Sequence, residues 1–253
     1  MSMDFICNIC GTQIMRCPIE SIDRETPSCP HCHSSVRMRS VVHLLSTALY
    51  GHSMPLPLFP VNLGVVGVGL SDWLGYAEAL VTTFNYTNTY YHQPPYLDIL
   101  APPGHRASTC DFVISTDVFE HVATPVSRAF HGVFSLLKPG GYFILTVPFT
   151  NEPKTIEHFP ELHDYRIIQF GDEYILVNRT VDGRRMLHDK LAFHGGPGTT
   201  LEMRIFCRQD LERHLADAGF TDIQFCGDDA PQWGILHREP WSLPILARRP
   251  IRG

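Results

Sequence analysis

Two groupings in this chain have residue types and spacings that can do chemistry. The first is Cys7-x-x-Cys10 followed by Cys29-x-x-Cys32. Each C-x-x-C segment can turn two sulfurs toward one point, and two such segments complete a tetrahedron of thiolates around Zn²⁺. Gly11 follows the first pair, where a tight knuckle often needs positive φ. Residues 1–33 hold too few large apolar side chains to fold unaided, and metal binding would supply the missing free energy, on the order of 10 kcal/mol. Four cysteines leave no open position for water or substrate, so the spacing points to a structural or docking module. Cys17 is left over, and His31 and His33 break the paired spacing. The second grouping is Thr155 to Arg166, which packs His158, His163 and Asp164 among other acids and an aromatic. These residues can be read as a catalytic metal set, as a general base, or as loop residues satisfied by hydrogen bonds. Of the active readings the base is preferred to the metal, because Pro160 lies between the histidines and His-x₄-His is not a helical i, i+4 pair.

The elements that must carry these residues follow from periodicity. After the second knuckle, Val36, Val41, Leu44, Leu45, Ala48 and Leu49 recur at helical spacing, with Ser34 or Ser35 as cap and Gly51 as stop. Arg37-x-Arg39 within it can bind an anion, although solvated side chains or salt bridges are the preferred reading. Residues 52–60, with three prolines, read as a linker. Residues 61–69 are a β-branched apolar strand running into Gly67-x-Gly69-x-Ser71-Asp72, then a helix from Trp73 to about Phe84. A strand, glycine turn and helix in that order make the entry of a nucleotide-binding α/β unit. Further strands are expected at 86–92, with Asp98 in the loop after it, at 110–115 and at 142–148, with a helix before the last. That alternation calls for a parallel sheet wrapped by helices. Residues 151–200 form an insertion. Within it, 174–177 and 185–187 flank Val181-Asp182-Gly183-Arg184, a hairpin signal, and 194–199 read as a flexible loop.

The series DFVISTDVFEHV, a helix, and LLKPGGYFILTVP resembles the class I (Rossmann-like) methyltransferases that use S-adenosylmethionine (SAM). The resemblance covers residues 60–150 closely and 200–249 more loosely, and an N-terminal zinc ribbon joined to this fold also occurs among such enzymes. It implies an α/β fold with a mostly parallel seven-stranded sheet flanked by helices. Residues 1–33 would be the ribbon, 34–60 a helix and linker, and 61–253 the catalytic domain. In such enzymes the glycine turn holds the methionine part of SAM, here Gly67, Gly69 and Ser71. An acid after the third strand meets the adenine, here Asp98. The turn after the fourth strand lines SAM and the reaction centre, here Ser115, Thr116, Asp117 and His121. The chain departs from the pattern at Val65, where an acid is common, and at the end of the second strand, where His92 or Gln93 stands in place of the acid that binds ribose. The resemblance puts the 151–200 insertion over the methyl group, which makes His121, His158 and His163 the candidates for a catalytic base.

Composition narrows the acceptor. With 20 Lys+Arg against 26 Asp+Glu the net charge is −6, which argues against coating of phosphate backbones. No apolar run reaches the roughly 18 residues that cross a bilayer, and the first residues lack the pattern of a secretory signal. The expectation is a cytoplasmic enzyme that methylates a small-molecule or sugar-type acceptor, with SAM and zinc as its cofactors. The alternatives are an RNA methyltransferase that reads RNA with its ribbon, and a scaffold that has lost SAM.

Overall fold

The computed structural model describes residues 1–251 except Gly195, Pro197 and Thr199. The loop expected at 194–199 therefore lies partly outside the described residues. The chain opens with an antiparallel hairpin, β1 (Ser2–Ile6) and β2 (Gln13–Pro18). Helix α1 (Val36–Tyr50) follows, entered at Ser35 and closed by Gly51 in the left-handed conformation that favours glycine.

The central sheet is then laid down as β3 (Asn62–Leu70), α2 (Leu74–Thr83), β4 (Phe84–Thr89), β5 (Cys110–Thr116), α3 (Ser127–Leu136) and β6 (Leu137–Thr146). β4, β3, β5 and β6 are mutually parallel neighbours in that order. After β6 come two short strands, β7 (Phe149–Thr150) and β8 (Ile156–Glu157). They are followed by an antiparallel three-stranded sheet, β9 (Asp164–Phe170), β10 (Glu173–Arg179) and β11 (Arg185–His188). β12 (Phe193–His194) pairs with β13 (Thr200–Leu201), and β14 (Arg204–Cys207) returns between β7 and β8. Helix α4 (Arg208–Asp217), β15 (Thr221–Phe225) and β16 (Ile245–Arg248) finish the main sheet. β16 is antiparallel to both β6 and β15, which makes it the one reversed strand.

Among the described residues the sheet has six strands, ordered β15-β16-β6-β5-β3-β4, and not the seven expected. The missing strand is reduced to a parallel bridge between Tyr90 and Tyr96. The reason lies in Pro94 and Pro95, which cannot donate to a ladder. The insertion contains the expected hairpin and one strand more, β9, which starts at Asp164.

Alternation along the strands places the core. Val113, Phe143 and Leu145 face one side and meet Phe130 and Val133 of α3 and Leu211 and Leu215 of α4. Phe112, Ile114 and Ile144 face the other and meet Tyr76 and Leu80 of α2. That second core runs without a break into Val41 and Leu45 of α1 and Phe5, Cys7 and Ile22 of the N-terminal segment. Leu56 and Phe59 are buried in it too, so the proline-rich stretch expected to be a linker packs as part of the core. Gly67 and Gly69 lie within β3. A Cβ on Gly67 would meet the Phe112 ring, and one on Gly69 the Tyr86 hydroxyl and the Asp72 carboxylate. Their side-chain hydrogens are thus demanded by packing between strands, and the chain turns later, at Ser71 (φ 57°).

Candidate active site and metal centre

The β1–β2 hairpin and the loop before α1 bring four thiols together. Cys7 and Cys32 sulfurs are 3.5 Å apart and Cys10 and Cys29 sulfurs 3.7 Å apart, and all four ligand atoms lie within 4.8 Å of one another. These separations are close to the edges of a tetrahedron with metal–sulfur bonds of about 2.3 Å. Backbone N–H groups of Gly11 and His33 donate to the Cys7 and Cys29 carbonyls and close the two knuckles. A hydrogen bond with Cys32 is the largest influence on Cys7 and pulls its thiol down to about 4. Cys17 is buried apart from the four, with Ser21 and Ser28 as partners, and His31 and His33 are exposed.

The two arginines of α1 are not solvated. Arg39 is 0% exposed and donates to the Ser34 carbonyl at 2.7 Å, to Ser28 Oγ at 2.8 Å and to the Gly234 carbonyl at 2.8 Å. It therefore ties the cysteine knuckle to the far end of the chain. Burial lowers its pKa, and the cysteine sulfurs act against that. Arg37 reaches the other way, to Glu25 at 2.8 Å and to Asp117 at 3.2 Å.

Asp117 stands just past the carboxyl end of β5 with φ 52°. Arg24 forks onto its two oxygens at 2.8 and 3.1 Å, and Thr146 Oγ1 donates at 3.0 Å. Burial alone would raise this acid, but Arg24 and Arg37 prevail and hold it below the usual range. Asp72, after the β3 turn, behaves oppositely. It is buried and accepts from Tyr86 at 2.5 Å, and burial pushes it up to about 7. Ser115 is fully buried, and its Oγ finds no hydrogen-bond partner among the described residues. Thr116 is buried beside it. Ser71, His92 and Asp98, beyond the ends of β3 and β4, are exposed. One Asp98 oxygen accepts from the Leu100 N–H at 2.9 Å, and the His92 ring lies edge-on to Tyr91 at 4.7 Å.

The turn after Asp117 is locked to the end of the insertion. The Met203 N–H donates to the Glu120 carbonyl at 2.8 Å. Arg204, fully buried, donates to the Phe119 and Val122 carbonyls at 2.9 and 2.6 Å and to Glu157 at 2.7 Å. His121 Nδ1 meets the Leu201 carbonyl at 2.9 Å, and its ring packs edge to face on His194 at 4.6 Å. Glu202 joins two histidines, His158 at 2.9 Å and His194 at 2.8 Å. Glu120 is 1% exposed, and burial pushes it up to about 8.

Of the three expected histidines, His121 and His158 thus share one cluster. His163 is exposed, and its backbone N–H is bonded to Asn178 at the insertion sheet. Arg24, Glu120, His194 and Glu202 escaped the sequence reading. The available signal was Glu120 beside His121; Arg24 and Glu202 meet Asp117 and His158 across 93 and 44 positions, and the closer His194–Glu202 pair has no helical or strand spacing to mark it.

A family profile described as a methyltransferase domain matches residues 65–224, more than half of the chain. Similar solved structures include a sugar N-methyltransferase from a Streptoalloteichus species, with 11% identity, TM-score 0.47, 83% of this chain and 86% of that chain covered. Another is a SAM-bound amino pentose methyltransferase from Micromonospora echinaspora, with 14% identity, TM-score 0.45 and coverage of 85% and 92%. A third is a SAM-dependent methyltransferase from Clostridium acetobutylicum, with 14% identity, TM-score 0.43 and coverage of 74% and 85%. No curated protein matches the sequence.

Proposed function

The chain belongs to the methyltransferase-domain family and is a SAM-dependent methyltransferase, and on that premise we propose that it methylates a hydroxyl group of a small, polyol-type molecule such as a sugar. The observation that carries this reading is the cluster beyond β5, where Asp117, Glu120, His121, His158, His194 and Glu202 come together. Glu202 and the histidine ring nitrogens offer hydrogen-bond acceptors, and a polyol supplies O–H donors. The whole chain carries −6, which disfavours a nucleic acid or another strongly anionic acceptor.

The residues present fit SAM. Asp98 offers an exposed carboxylate for the adenine amine, and His92 is exposed on the ribose side. Ser71 stands at the turn, and Gly67 and Gly69 keep β3 close beneath it. Beyond Ser115 and Thr116 at the end of β5, Asp117 suits the cofactor's α-ammonium, and Arg24 and Arg37 its α-carboxylate. The sulfonium supplies the methyl group. The chain holds acceptor and cofactor in line and excludes water, which supplies most of the acceleration. The hydroxyl proton leaves to a histidine. Of the three candidates, His121 and His158 are in reach of the cluster and His163 is not.

The four cysteines would hold one structural Zn²⁺, with Arg39 offsetting its negative thiolate shell. Elemental analysis of protein purified without chelator should find one zinc per chain, and no zinc would end that assignment.

Calorimetric titration with SAM and S-adenosylhomocysteine should give binding of both. Mass spectrometry of the protein incubated with SAM and a panel of monosaccharides, amines and RNA should show a 14-Da gain on a hydroxylated small molecule. Transfer to RNA alone would replace this reading, and failure to bind SAM would leave a scaffold. With an acceptor in hand, His121→Ala and His158→Ala should lose about 10² to 10⁴ in turnover with SAM binding retained, and His163→Ala should match the parent.

A further inference from the structure

Glu120 poses a problem that methyl transfer by positioning alone does not solve. Both of its carboxylate oxygens are buried, and neither has a hydrogen-bond partner among the described residues. A buried carboxylate without a donor is costly and rare, so it calls for an occupant. Its surroundings specify which. His121 Nε2 lies 3.8 Å from Glu120 Oε1, and one ligand atom each from Glu120, His121 and His194 falls within 4.8 Å of the others. His121 Nδ1–H donates to the Leu201 carbonyl, which leaves Nε2, the nitrogen on the Glu120 side, without a hydrogen. His194 is held through Nε2 by Glu202. Ring nitrogens anchored on a carbonyl or a carboxylate in this way are the outer support of metal-binding histidines.

We propose that Glu120, His121 and His194 form a binding site for a divalent cation, one that binds the acceptor hydroxyl beside Asp117. Two histidines and one carboxylate suit Mn²⁺, Fe²⁺, Co²⁺ or Zn²⁺. Three protein ligands leave positions open for a hydroxyl oxygen, unlike the closed four-cysteine cluster. The proposal rests on the hydroxyl-acceptor reading and gives it a mechanism. A hydroxyl bound to the cation is more acidic, and its proton passes to the His158–Glu202 pair. The oxygen lone pair forms the O–CH₃ bond as the S–CH₃ bond breaks, and that bond's electrons return to sulfur as a neutral thioether. Arg204 and Met203 serve as positioning residues, since they fix the turn that presents Glu120 and His121.

The test is binding of Mn²⁺ to the full chain with its cysteine site already filled with zinc, read by loss of the free-ion electron paramagnetic resonance signal. Manganese prefers oxygen and nitrogen ligands and does not compete for thiolates. The parent should bind one Mn²⁺. Glu120→Gln and His194→Ala should each weaken binding at least tenfold, and Glu202→Gln should weaken it about tenfold through His194. Melting curves and SAM affinity of His194→Ala should match the parent, which keeps the test sound should Glu120→Gln fold poorly. A parent that binds no Mn²⁺, or variants that bind it as the parent does, overturns the site. Manganese binding without methyl transfer to any hydroxyl leaves the cation site standing and sinks the acceptor reading. Hydroxyl methylation by a parent that binds no cation does the reverse.

Discussion

Residues 1–60 and residues 151–203 are both additions to one sheet, but they are attached differently. The N-terminal segment has no core of its own. Phe5, Cys7 and Ile22 belong to the same apolar cluster as Phe112 and Ile144 of the sheet, and Arg39 bonds across to Gly234. The insertion keeps a small separate core of Phe159, Leu176, Leu201 and Met203. It leaves Ile168, Phe170 and Leu187 exposed, and is joined to the turn after β5 by the Met203–Glu120 hydrogen bond. The first addition is part of what lets the sheet fold. The second borrows the sheet as a platform, which makes it the part that can change with the acceptor.

Loss of the zinc proposed for the four cysteines should therefore have the largest effect. Stripping zinc, or replacing Cys7 and Cys29 by Ser, removes on the order of 10 kcal/mol, and circular dichroism should show the main sheet unfolding with the knuckles. If the sheet survives, the two additions are alike after all. Arg39→Ala should come next, at about 3 to 5 kcal/mol by denaturant titration, because it strands buried carbonyls of Ser34 and Gly234. Phe159→Ala should cost about 3 kcal/mol, but hydrogen exchange should locate the loss within residues 156–203 and leave β3 to β6 protected.

The seam between N-terminal segment and sheet should show in the pH dependence of Asp72, whose pKa of about 7 feels Arg37 after burial and its hydroxyl partners. The folded state holds this proton more tightly than the unfolded chain does, so stability falls as pH rises from about 4 to about 7 and then levels. Asp72→Asn keeps an acceptor for Tyr86 and should flatten that slope, a change of about 4 kcal/mol over the window. Arg184→Ala, on the exposed hairpin of the insertion, should leave both melting midpoint and SAM affinity unchanged.

Much of this was legible along the chain. The four thiols converge because paired C-x-x-C spacing is a local geometric instruction, and α1 stops where Gly51 takes the left-handed conformation, although Ser35 at its start makes no side-chain cap bond. The order of strands and helices follows from alternating apolar runs. What was illegible depended on distance. Arg24 meets Asp117 across 93 positions, and Glu202 meets His158 across 44. No periodicity announces a partner of that kind. Gly67 and Gly69 were expected in a turn and lie in β3, since a glycine demanded by a neighbouring strand's Phe112 or Tyr86 looks the same in sequence as one demanded by a turn.

The bridge that replaces the missing strand also decides how the molecule behaves at high concentration. An open sheet margin is a template on which a second chain can add its own strand, the first step of ordered aggregation. Beyond β4 the margin carries the Tyr90–Tyr96 bridge, and Pro94 and Pro95 sit in the loop it closes. Prolines have no N–H to offer an incoming strand. What the sheet gave up in width it therefore recovers as resistance to sticking, with exposed Tyr91 and Tyr96 left at that rim.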